Sequence, residues 1–231
     1  MIEELLKAKD MRFNCFNQGR GCEGEFGEDD LTFHCFQCIY RLVPCPNLFC
    51  KLKVPFNVLT EHMERTMCCT EDYYKLEKGV EIVRAQTLSP LLFNSFFPFS
   101  FLPVGLEFDE KLFYFTAEYL KDEKTFYFWI QLVGSKYDAK DYFYTLKIHG
   151  KNPMILATFT GQTIPIDQNT STSFGVHIEA MRSQFLDENN QFIMSMSITK
   201  MTSEPKVEIV EMQESEFPQN RSSFGIQIQG N

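Results

Sequence analysis

Cys15, Cys22, His34 and Cys38, followed by Cys45, Cys50, His62 and Cys68, are the residues whose types and spacing point to chemistry. Six, eleven and three residues separate the members of the first set; four, eleven and five separate those of the second. Both sets run Cys, Cys, His, Cys and share the interval of eleven between the second cysteine and the histidine. Thiolate and imidazole are ligands for zinc, a borderline-soft d¹⁰ ion that takes four such donors in a tetrahedron. Four protein donors leave no position for water, so each site is expected to be structural, with metal binding and folding in one equilibrium. Two structural zinc ions are therefore expected. Cys35 is read as a bystander beside His34, and Cys68 is preferred to Cys69 as the last ligand.

Three other uses of cysteine compete with zinc. All eight cysteines lie between Cys15 and Cys69, and the first ten residues, MIEELLKAKD, do not read as a secretory signal. A reducing compartment, cytoplasm or nucleus, is expected, and it disfavours a disulfide framework. Burial of the cysteines as small hydrophobes does not account for two sets with matching intervals. A catalytic thiol needs a base and an orienting group, whereas His149 and His177 stand alone in strand-like stretches.

These ligands need elements to position them. Two cysteines on a loop or hairpin, with a histidine and a cysteine on a following helix, supply the halves of each tetrahedron. A helix is predicted over 56–67, with Asn57 or Thr60 as cap and His62 turned inward. A short helix is predicted over 2–9. From about 101 onward the pattern changes to strands: 112–120, 126–133, 142–148, 154–160, 174–180 and 192–199. Turn-rich pieces at 121–124, 134–141, 149–152, 167–173 and 187–190 separate them. Both faces of 126–133 are mostly apolar, so that strand is expected to be covered on both sides. The fold class is thus a small zinc-stabilised α+β module followed by an all-β antiparallel sandwich. The expected divisions are a helical start (1–14), a double zinc finger (15–69), a connecting segment (70–100), the sandwich (101–202) and a polar tail (203–231). The tail carries strand-like pieces at 207–212 and 224–229.

The 231-residue chain carries a net charge of −9 and a pI near 5.0. That charge opposes a phosphate-binding surface, and the helix at 56–67 offers only Arg65 against Glu61 and Glu64, so no nucleic-acid partner is expected. The most apolar window, 91–106, is broken by Asn94, Ser95, Pro98, Ser100 and Pro103 and is shorter than a bilayer span of about 20 residues. No membrane partner is expected.

The ligand intervals, the stretch VPCPNLFC (43–50) and the block FYFWIQLVGSKYDAKDYFYTLKIHG (126–150) resemble the seven-in-absentia (Siah-type) family of ubiquitin ligases. The resemblance covers roughly residues 11–200. It implies two zinc fingers followed by a TRAF-like sandwich that binds protein or peptide substrates, dimerises through the sandwich and works in ubiquitin-dependent degradation. The family's RING would precede the first finger, and here only fourteen residues precede Cys15. Only Cys35 and Cys38 have the C-x2-C spacing that a RING repeats. The chain alone is therefore not expected to be a catalytic ligase, but an adaptor or regulator that joins or opposes RING-bearing relatives. A truncated chain of a complete RING ligase is the alternative, and a zinc-finger nucleic-acid binder is a more distant one. The acidic residue and tryptophan that line the family's peptide groove have no counterpart in 88–104, and Trp129 lies in a core-like strand. No peptide-contact residue is carried over.

Overall fold

A computed structural model describes residues 11–70, 73–88, 99–168 and 173–201. The helix expected over 2–9 and the tail pieces at 207–212 and 224–229 lie outside the described residues. The two cysteine-rich sets form consecutive ββα units. In the first, β1 (Phe13–Asn14) pairs antiparallel with β2 (Glu25–Phe26), and α1 (Glu28–Gln37) follows. In the second, β3 (Leu42–Pro44) pairs with β4 (Lys53–Pro55), and a 3-10 turn (Phe56–Val58) leads into α2 (Leu59–Arg65). Neither helix is long, and α1 buries only Leu31. Units with so little apolar core need a staple.

The remaining strands build two sheets. The first contains β5 (Tyr73–Lys75), β7 (Phe99–Ser100), β8 (Val104–Phe108), β9 (Lys111–Leu120), β10 (Thr125–Leu132), β13 (Ile164–Pro165) and β14 (Phe174–His177). The second is ordered β12 (Leu156–Gln162), β11 (Tyr142–His149), β15 (Gln191–Lys200) and β6 (Ile82–Thr87). Period-2 alternation decides which side chains meet between the sheets. From β9 and β10 come Phe113, Phe115, Phe126, Phe128, Ile130 and Leu132; from β11 and β15 come Tyr142, Tyr144, Leu146, Ile148, Phe192 and Met194. Rings cross the gap, Phe113 to Tyr142 at 5.3 Å and Phe128 to Phe192 at 6.2 Å. This is the zinc module plus β-sandwich that the sequence implies.

Several elements differ from expectation. Residues 70–100, read as a connection, contribute β5 and β6 to the sheets and β7 at the far end. In β6 intermediate and exposed residues alternate, as at a sheet edge, so its apolar signal is half-strength. Two pairings, β5 with β8 and β10 with β13, are parallel. Parallel neighbours need a crossover, and here the intervening chain makes it by visiting the opposite sheet. The strand expected over 154–160 begins at Leu156 and runs to Gln162. The strand expected over 174–180 ends at His177, whose ring accepts the Glu179 N–H and turns residues 178–180 into a helical turn. Within the turn expected over 134–141 stands a capped helical turn, α3 (Lys136–Ala139). Neither Asn57 nor Thr60 caps α2; Val58 precedes it without a side-chain cap, because the 3-10 turn leads straight into the helix.

Candidate metal centres

The eight ligand candidates gather into two clusters, Cys15, Cys22, His34 and Cys38 in one and Cys45, Cys50, His62 and Cys68 in the other. Within each, the four donor atoms lie within 4.8 Å of one another. The backbone explains how. Gly21 has φ +108°, a left-handed conformation that suits glycine, and it turns the loop after β1 so that Cys22 faces Cys15. α1 then carries His34 against the pair, and its last turn delivers Cys38, whose N–H bonds the His34 carbonyl at 2.7 Å. His34 is held in orientation by Phe26, stacked on its ring at 4.0 Å.

The second cluster repeats the plan on the β3–β4 hairpin and α2. At the end of α2, Met67 adopts φ +51°. The Cys68 N–H then reaches back to the Met63 carbonyl at 3.0 Å, a six-to-one bond that closes the helix in the Schellman manner. That reversal aims Cys68 into the cluster and sends Cys69 to the other side, where its thiol lies 3.6 Å from the Met63 carbonyl oxygen. Cys35, half-buried beside Cys15 and Phe16, is left out of the first cluster.

Distances and chemistry fit zinc. A tetrahedron with Zn–S near 2.3 Å and Zn–N near 2.0 Å has S···S edges of about 3.8 Å and S···N edges of about 3.5 Å. Cys15 and Cys38 sulfurs lie 3.7 Å apart, far beyond a disulfide bond. His34 Nε2 lies 3.2 Å from Cys15 Sγ and 3.3 Å from Cys22 Sγ, and His62 Nε2 lies 3.5 Å from Cys50 Sγ. Thiols this crowded resist ionising together: burial pushes Cys38 up to about 11, with Cys15 and Cys22 adding to the effect. Burial likewise pushes Cys45 up, and Cys68 and Cys50 add to it. A divalent cation at the centre reverses that cost. These are two Cys3His zinc-binding sites, each with four protein donors as structural zinc sites have.

Each cluster also has a residue that the spacing argument passed over. Asn17 and Asn47 both stand two positions after the first cysteine of their set, and both are buried. The Asn17 N–H points at Cys15 Sγ at 3.4 Å, and the Asn47 N–H faces Cys45 in the same way. The C-x-N pattern, at 15–17 and 45–47, is visible in the sequence. Donors to sulfur spread the thiolate charge and fix its direction.

Arg41 was also missed, and no spacing marks it. Its backbone N–H and one guanidinium nitrogen both reach the Cys38 carbonyl, each at 3.1 Å. A second guanidinium nitrogen donates to the Gly134 carbonyl at 2.9 Å, and Nε faces Asp167 at 3.5 Å. The guanidinium also lies over Phe56 at 4.1 Å. One buried side chain thus joins the first finger, the second finger and the sandwich. The second finger is further seated on the outer face of the first sheet, where Val43, Leu59 and Met63 pack with Tyr114 and Ile166. This contact is part of why β9 is apolar on both faces, with Leu112 and Tyr114 turned to the finger. Of the histidines outside the clusters, His149 bonds Ser195 at 3.2 Å and His177 caps the helical turn that follows it.

The chain is similar to the E3 ubiquitin-protein ligase sina of Drosophila virilis, 25% identical over 183 residues, covering 76% of this chain and 53% of the relative. It is similar also to sina of Drosophila melanogaster, 24% identical over 177 residues, covering 74% and 52%. The chain spans about half the length of the curated relatives it matches. No family model matches it. Among the described residues, no helix is long and apolar enough to cross a membrane.

Proposed function

We propose that this chain is a zinc-stapled protein-interaction module of the seven-in-absentia kind, acting in ubiquitin-dependent degradation as an adaptor or regulator of RING-bearing relatives. The observation that carries the reading is the joint between finger and sheet. Two closed zinc sites hold small ββα units that have little core of their own, and the second unit is packed and hydrogen-bonded onto the sandwich. Among the described residues this arrangement shows four protein donors at each metal position and no nucleophile paired with a base, and it presents a rigid surface. Rigid surfaces suit partner docking, because little ordering entropy is lost on binding. The similarity to ubiquitin ligases over about three quarters of the chain supports the pathway. In this reading the partners are protein or peptide substrates and RING-bearing relatives, and the sandwich is the dimer surface.

Reconstitution tests it. The purified chain, supplied with ubiquitin, activating enzyme and conjugating enzyme, is expected to build no ubiquitin chains alone. Mixed with a RING-bearing seven-in-absentia ligase, it is expected to co-purify with that ligase and to change the ubiquitylation of the ligase's substrates. Autonomous chain building, or the absence of both association and effect, would overturn the proposal.

A further inference from the structure

A second recessed site lies at the joint, outside the zinc clusters and formed by the end of α2, the segment after it and the outer face of the first sheet. Its volume is about 700 Å³, within the range of about 300–1,000 Å³ typical of small-molecule sites. Gly105 keeps its floor open, since a side chain there would press on the Tyr73 ring at 2.8 Å. Tyr114 lines it and is 3% exposed, and its hydroxyl has no hydrogen-bond partner among the described residues. The hydroxyl is not sealed in the core but opens to the recess, where a ligand can reach it.

The other walls narrow the ligand class. Tyr73 and Tyr114 offer rings, and Met67 and Cys69 offer sulfur, which packs favourably against aromatic edges. Among the described residues Glu64 is the charged side chain in the lining and none is a cation, so an anion is disfavoured. We infer that this recess binds a small uncharged aromatic molecule carrying a hydrogen-bond acceptor, with the ring among the tyrosines and sulfurs and the acceptor on the Tyr114 hydroxyl. A ligand so placed touches α2, β8 and β9 together and clamps the second finger to the sandwich.

Acetanilide, an uncharged ring with an amide carbonyl, is a suitable probe, and benzoate is its anionic counterpart. Saturation-transfer NMR on the zinc-loaded full chain is expected to show transfer to acetanilide and none to benzoate. Leu102, on the rim and 44% exposed, gives the blocking variant: Leu102→Trp fills the recess and is expected to abolish transfer while two zinc ions stay bound. Tyr114→Phe keeps the ring and removes the donor, and it is expected to weaken acetanilide about five- to tenfold, the worth of one hydrogen bond. Should Leu102→Trp fail to fold, the near-isosteric Tyr114→Phe still decides. No transfer to the wild type, equal transfer to a folded Leu102→Trp, unchanged affinity in Tyr114→Phe, or equal binding of benzoate would each overturn the assignment.

Discussion

Single residues decide whether the two metal sites close. Because Met67 reverses the chain, Cys68→Ser is expected to remove one zinc from the two counted by native mass spectrometry, whereas Cys69→Ser keeps both. The reversal itself carries strain, since a side chain at φ +51° costs about 1 kcal/mol that glycine avoids. Met67→Gly is therefore expected to raise stability by about 0.5–1 kcal/mol in denaturant titration with zinc content unchanged, and a loss of stability would contradict the cap geometry. Arg41 works in the opposite direction. Arg41→Met leaves the carbonyls of Cys38 and Gly134 without their side-chain donor and Asp167 without its cation, and is expected to cost about 2–4 kcal/mol. The ligands themselves could be read from the sequence because a metal imposes type and order on donors close in the chain. Arg41 could not, because its partners Gly134 and Asp167 are distant in sequence and a lone arginine carries no spacing to count.

At the scale of elements, strands were legible wherever alternation was strong and both faces were used, as in β9, β10, β11 and β15. They were obscure where one face met solvent, as in β6, or where a two- or three-residue strand pairs in parallel with a strand distant in the chain, as in β5 and β13. The short helix α3 shows a signal that was present but outweighed by its turn-rich surroundings. Ser135 accepts from the Asp138 N–H, and the Asp138 carboxylate accepts from the Ser135 N–H at 3.1 Å and its hydroxyl at 2.6 Å, a complete capping box written S-K-Y-D. Burial works against the Asp138 carboxylate, yet the Ser135 bonds and Lys111 at 3.2 Å hold it below its ordinary 3.8. With the folded value below the unfolded one, its contribution is complete above the unfolded value and is lost as pH falls through the folded one. Ser135→Ala is expected to cost about 1 kcal/mol at neutral pH. The stability gap between wild type and Asp138→Asn is expected to shrink between about pH 5 and pH 2. A gap that stayed constant over that range in acid-dependent denaturant titrations would show that the box contributes nothing through charge.

For the whole molecule, the consequence of the architecture is that the two zinc sites are chemically alike but mechanically unequal. The first is backed by a cluster of its own cysteines with Phe26 and Tyr40, and it meets the sandwich through Arg41 and the side of α1, where Phe33 lies 5.0 Å from Tyr137. The second is backed by fully buried Leu59 and Met63 against Tyr114 and Ile166. Releasing the second zinc therefore also releases apolar contact worth about 1.5–3 kcal/mol for each such side chain. Since every 1.4 kcal/mol is about a tenfold change in a binding constant, the second site should outlast the first by roughly two to four orders of magnitude. Stepwise chelation followed by native mass spectrometry is then expected to pass through a one-zinc species. In that species Cys15, Cys22 and Cys38 alkylate while Cys45, Cys50 and Cys68 stay protected, and hydrogen exchange in β9 and β10 remains slow. Only on loss of the second zinc should exchange at the outer face of the first sheet accelerate, because that face was never built to meet water. Simultaneous loss of both ions, or protection of the first set instead, would show that the finger-to-sheet contact does not support the metal.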